Sequence, residues 1–101
     1  MSATPYVWAP NAPTGFTVTT TPIKIAVLKN TESTALYISN LGSSTVFLSL
    51  DAPNATEGSA AVDKGIAVFP NTTFNFNGCG LPFESSVWAV ASSSCKISVQ
   101  G

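Results

Sequence analysis

Apolar and polar residues alternate with a period of two along nearly the whole chain, and that rhythm points to strands. Phe16-Thr17-Val18-Thr19-Thr20 begins it, and Ile23, Ile25 and Val27 share one face of the next run, with Lys24 and Lys29 on its flanks. Leu36 and Ile38 share a face in the third run; Val46, Leu48 and Leu50 do so in the fourth, with Ser49 and Asp51 opposite. Further on, Ile66 and Val68 alternate with Ala67 and Phe69, and Phe74 and Phe76 with Thr73, Asn75 and Asn77. Val87, Ala89 and Ala91 oppose Trp88 and Val90, and Cys95, Ile97 and Val99 oppose Lys96 and Ser98. Successive strand side chains point to opposite faces, so each run offers one apolar face to a core. No helical i, i+3, i+4, i+7 stripe persists over a useful length.

The breakers between the runs agree. Asn40-Leu41-Gly42-Ser43, Asp51-Ala52-Pro53-Asn54, Pro70-Asn71, Asn77-Gly78-Cys79-Gly80 and Ser92-Ser93-Ser94 are rich in turn formers, because Gly and Asn tolerate positive φ and Pro presets its own. The expected fold is all-β: one antiparallel sandwich or small barrel, jelly-roll-like, of about seven or eight short strands. Short connections predict antiparallel hairpins over 34–50 and 86–99.

With 101 residues the chain has room for one domain. Residues 1–15 break the rhythm: Pro5, Pro10 and Pro13 surround Tyr6, Val7 and Trp8, which excludes a helix and disfavours a central strand. We read 1–15 as an extended arm and 16–101 as the β-domain. The arm packs on its own domain or docks on a neighbour. Tyr and Trp are enriched at binding hot spots, which makes Tyr6, Val7, Trp8, Pro10 and Pro13 the candidate interface. Trp88, in mid-strand, is read as a core residue, and the small-residue, acidic stretch 51–64 as a surface excursion.

Charge narrows the function. Four basic and five acidic residues make up only 9% of the chain, against roughly 25% in an ordinary globular protein. Lys24, Lys29, Lys64 and Lys96 are scattered, unlike the clustered cations that bind phosphate backbones. So little charge protects weakly against self-association and suits a subunit covered by neighbours. No apolar run approaches the roughly 20 residues of a membrane span, and Met1-Ser2-Ala3-Thr4-Pro5 has no secretory-signal character. The expected partners therefore include neither nucleic acid nor membrane.

The chain contains no histidine, which excludes Ser-His-Asp and Cys-His catalysis and His-ligated metal. Asp51, Glu57 and Asp63 lack the spacing of a calcium loop, and Gly78-Cys79-Gly80 lacks the continuation and helix of a phosphate cradle. Asn54-Ala55-Thr56 and Asn71-Thr72-Thr73 match the N-glycosylation pattern but are read as chance matches. No enzymatic activity, cofactor or metal is expected. Cys79 and Cys95 are too few for a disulfide scaffold. They are either buried small hydrophobes or one bridge closing the loop between them.

Leu36-Tyr37-Ile38-Ser39-Asn40-Leu41-Gly42-Ser43-Ser44-Thr45-Val46-Phe47-Leu48, then Lys64-Gly65-Ile66-Ala67-Val68-Phe69-Pro70-Asn71, then Val87-Trp88-Ala89-Val90-Ala91-Ser92 and Lys96-Ile97-Ser98-Val99, resemble in their order small virion accessory proteins of tailed bacteriophages. The resemblance covers residues 34–100, with Asn71 where the pattern usually has Gly. It implies a capsid decoration, or cement, protein: made in the host cytoplasm, bound to the major capsid protein on the outside of the virion head, and self-associated as a homotrimer. Many weak, repeated contacts would then act through avidity. A phage tail, neck or fibre component or a host-surface adhesin is the alternative reading, and a non-viral carbohydrate-binding module a second.

Overall fold

The computed structural model describes residues 7–8, 14–28, 35–52, 54–77 and 85–100. Their strands are β1 (Val7–Trp8), β2 (Thr14–Val18), β3 (Ile23–Leu28), β4 (Ala35–Asn40), β5 (Val46–Asp51), β6 (Ile66–Val68), β7 (Thr73–Asn77), β8 (Ser85–Ala91) and β9 (Cys95–Gln100). The alternating runs are the last eight. β1 lies in the segment read as an arm, where Val7 and Trp8 pair with Leu28 and Val27 of β3. β2 begins at Thr14, two residues before the domain boundary read from the sequence.

All pairings are antiparallel. They build sheet A, in the order β1-β3-β8-β5-β6, and sheet B, in the order β2-β9-β4-β7. One core cluster draws Val18, Leu36, Ile38, Cys95, Ile97 and Val99 from sheet B and Ile25, Val46, Leu48, Val68, Val87 and Ala89 from sheet A, so the sheets pack face to face. Setting β1 aside, β3-β8-β5-β6 against β2-β9-β4-β7 is the strand order of a jelly roll.

Neither expected hairpin forms. Both edges of β4 are taken by β7 and β9 and both edges of β8 by β3 and β5, so segments 41–45 and 92–94 carry the chain across the end of the sandwich into the other sheet. A short connection fixes the direction of the next strand but not the sheet it joins. The successive strands that do pair, β5 and β6, are joined by the long segment 52–65.

Among the described residues, the inward faces follow the alternation with two exceptions. In β3 the register against β8 slips between Lys24 and Ala26, a β-bulge at Ile25 that places both Ile25 and Ala26 in the core and turns Val27 off the face it was expected to share. Leu50 pairs with core residue Val87 yet is 38% exposed, because β6 pairs with β5 only as far as Leu48 and leaves that flank uncovered.

At the end of β4 the inward position holds an amide. Asn40 is wholly buried, and its side chain uses its full capacity of two donors and two lone pairs. Nδ2 donates to the Ser44 carbonyl at 2.7 Å and the Val68 carbonyl at 2.9 Å. Oδ1 accepts from the Gly42 N–H at 2.9 Å and the Cys95 thiol at 3.0 Å. Its main chain donates to the Thr72 carbonyl and accepts from the Asn71 N–H, both at 2.9 Å. Asn71 itself adopts φ 61 behind Pro70, the type II turn pattern in which Asn replaces Gly. At Gly42 the chain passes so close to Cys95 that a Cβ would meet its Sγ and Cα.

Cys95 is a free, buried thiol in this arrangement; Cys79 lies outside the described residues. Thiol titration of the unfolded chain is expected to find two reactive groups and the native protein to shield Cys95. Asn40→Ala strips the side-chain partner from the Val68 carbonyl and the Gly42 N–H, while the Ser44 carbonyl keeps the Cys95 thiol at 3.3 Å. At about 1–3 kcal/mol per orphaned buried group, denaturant titration should show a loss of about 3–5 kcal/mol.

Candidate functional site

The outward faces of the two sheets differ, and the difference starts in β8. All seven of its residues are buried: Val87, Ala89 and Ala91 face the main core, while Trp88 and Val90 belong to a second cluster with Ala60, packed by Phe47, Ala55 and Val62. Segment 54–62, expected to project from the surface, instead folds over the outside of sheet A. Trp88 is therefore a core residue of that outer cluster, not of the space between the sheets.

Three contacts fasten the cover. The Trp88 indole N–H donates to Ser86 Oγ at 2.8 Å, and Ser86 Oγ donates to the Ala52 carbonyl at 2.7 Å. Gly58 lies flat on the indole, where a Cβ would overlap the ring. Asp51 Oδ2 accepts from the Ser49 hydroxyl at 2.7 Å and the Ser59 N–H at 3.0 Å. Lys24 Nζ stands 6.0 Å from the Trp88 ring centroid, in cation–π range. Burial raises the Asp51 pKa, but hydrogen bonds from the Ser59 main chain and the Ser49 and Ser59 side chains outweigh it and hold the carboxyl below its ordinary value.

Sheet B has no such cover among the described residues. The alternation that buries Leu36, Ile38 and Asn40 turns Tyr37 and Ser39 outward, and Leu41 follows them. Register places Tyr37 between Gln100 and Asn75, and Ser39 between Ser98 and Thr73; the Ser39 and Thr73 hydroxyls are 2.8 Å apart. Gly15 and Thr17 of β2 extend the face beyond Ser98 and Lys96 of β9. Tyr37 is 45% exposed and Leu41 64%. Beside Leu41, an open groove of about 420 Å³ runs along β2 and β9, bordered by Gly15, Phe16, Thr17, Lys96, Ile97 and Ser98. Lys96 is the single charged side chain of this face among the described residues, whereas Asp51, Glu57 and Asp63 lie in or beside the cover on sheet A.

Of the interface residues read from the sequence, Tyr6, Pro10 and Pro13 lie outside the described residues, and the β1 backbone at Val7 and Trp8 is engaged by the domain's own sheet. Elsewhere the structure exposes Tyr37, Leu41 and, at 60%, Phe69. Tyr37 carried a signal, as an aromatic on the polar side of β4; Leu41 stood within a turn-forming stretch, and Phe69 on the outward side of the run of Ile66 and Val68. Among the described residues no group of three His, Cys, Asp or Glu side chains is placed to hold a metal ion.

The depressed Asp51 pKa gives the cover a pH dependence. A carboxyl whose folded pKa lies below its unfolded value contributes stability above the unfolded pKa and loses it as pH falls through the folded one. In a Trp8→Phe background, Trp88 emission should move to longer wavelength as pH falls below the ordinary Asp range, and Asp51→Asn should remove that pH-dependent step.

Compared with known proteins, the chain matches no family model, no curated protein and no solved structure.

Proposed function

We propose that this chain is a non-catalytic structural protein of a phage virion that decorates the capsid, laying the outer face of sheet B on the head surface. The observation that carries the reading is the contrast between the two faces. The chain covers Trp88 and Val90 with its own segment but leaves Tyr37 and Leu41 bare on a sheet of hydroxyls and amides. An exposed aromatic and a leucine set among polar groups have the make-up of an interface: apolar anchors inside a hydrogen-bonding rim. A face with one cation carries little desolvation cost, and repeated copies on a lattice multiply modest affinities. The order of strands and turns that resembles small virion proteins supports the choice of a capsid.

A second reading rests on one placement. Tyr37 between Asn75 and Gln100 sets an aromatic beside two amides, a combination that also suits a sugar ring, as in an adhesin.

Purified protein added to undecorated expanded heads should saturate at fixed stoichiometry and raise their disruption temperature. Tyr37→Ala and Leu41→Ser should each weaken binding by about 2 kcal/mol, the scale of a hot-spot residue, while leaving the melting of the isolated domain nearly unchanged. Absence of binding to such heads would retire the capsid reading, and binding of Tyr37-dependent glycans on an array would favour the second.

A further inference from the structure

Among the described residues, the strands that end sheet B, β2 and β7, are longer than those that end sheet A. Its edge strands are β1 and β6, of two and three residues, short enough to offer little template for pairing. β2 and β7 are five residues each. β2, Thr14-Gly15-Phe16-Thr17-Val18, pairs residue for residue with β9 without a register break, and contains no charge, proline or bulge. Those are the devices that normally keep an edge from pairing with another chain. Phe16 is only half-buried, although it packs against the main core, and the groove lies beside it. β7 is less suited, because two of its five residues are Asn, which strands disfavour.

We infer that β2 is a self-association edge, on which β2 of a second copy adds antiparallel to give a two-fold dimer with one continuous eight-stranded sheet. The inference is independent of the surface that the protein decorates. Occupancy by a second copy follows from the self-complementarity of the segment. In a register centred on Phe16, Thr14 lies opposite Val18, Gly15 opposite Thr17, and Phe16 beside its own equivalent. No like charges oppose each other, the empty position at Gly15 accommodates Thr17 of the other copy, and the two Phe16 rings cover each other's open side. An isologous contact of this kind closes at two copies, so it does not propagate into fibres. A net charge of −1 offers little repulsion against it. The dimer would also place two copies of the Tyr37 and Leu41 face on one sheet.

Charge reversal across the proposed dyad is the test, read by sedimentation equilibrium of the full chain. A Cβ at Gly15 meets only the Ile97 carbonyl oxygen, at 3.8 Å, so a side chain fits there without disturbing the monomer. Wild type should sediment at twice its 10.4 kDa. In Gly15→Lys/Thr17→Lys each introduced lysine faces another across the two-fold, and the dissociation constant should rise at least tenfold. Gly15→Lys/Thr17→Glu sets opposite charges face to face and should restore the dimer. Asn75→Lys on β7 should leave it intact, and thermal unfolding should show each variant folded. Monomeric or trimeric wild type, equal behaviour of the two double variants, or loss of the dimer through Asn75→Lys would overturn the assignment.

Discussion

A jelly roll must hold its two sheets in register where the chain crosses between them, and in this protein that task falls on the amide of Asn40. Apolar packing between the sheets is plentiful but non-directional; it does not specify how segments 41–45 and 69–72 meet the start of β9. The Asn40 side chain supplies the direction. One group holds the Ser44 carbonyl of the crossing segment, the Val68 carbonyl ending β6 and the Cys95 thiol opening β9. Its own main chain binds the Pro70-Asn71 turn. Sheet A, sheet B and two connections therefore converge on one wholly buried residue. Because every donor and acceptor of the amide is used, the site is stabilising as a set; a partly satisfied version would cost more than an apolar one.

Fixing that end determines what each face can become. With β4 locked between β7 and β9, Leu36, Ile38 and Asn40 point inward, and Tyr37, Ser39 and Leu41 must point out. On the other sheet the long segment between β5 and β6 has both ends anchored, by Ser86 on Ala52 and by the pairing of Ile66 with Leu48. Its middle can then lie across Trp88 and Val90. The cover needs a residue with no side chain where it meets the indole, and Gly58 provides it. The two outer surfaces thus diverge: one becomes a second core, the other stays an open sheet.

Which side chains turn inward was largely legible in the sequence, since strand alternation is a local property and all eight runs form strands. Partnership between strands was not. The Asn40–Ser44 stretch reads as a turn between antiparallel neighbours, yet its chemistry serves a crossing between sheets; the distinction lies in Val68 and Cys95, which are distant in sequence. The bulge at Ile25 was hidden for a similar reason, as Ile-Ala-Val contains no glycine to mark it. Trp88 was legible as buried but not as covered by a segment that, with its acidic and small residues, looks made for solvent. At the candidate docking face, Tyr37 could be placed on the polar side of its strand, whereas Leu41 lay inside a turn-forming stretch whose residues gave no face to assign. The arm drew attention because aromatics between prolines suggest an exposed segment; pairing of its Val7 and Trp8 with β3 is a long-range contact that no local pattern encodes.

The distribution of charge ties these features together. Asp51, the most closely held of the described carboxylates, contributes to fastening the cover on sheet A, and Glu57 and Asp63 accompany it there. Lys24 and Trp88 face each other on that same side. Sheet B is left with Lys96 alone among the described residues, so its outer face can approach a neutral or mildly acidic surface without stripping water from unpaired charges, the step that makes charged interfaces costly. The polarity of that face is then carried largely by Ser, Thr and Asn hydroxyls and amides, which can exchange hydrogen bonds to water for bonds to any partner that offers equivalent groups. A face built this way favours contacts that are individually modest and geometrically repeated, and the lack of charge on both the face and the β2 edge is one and the same property.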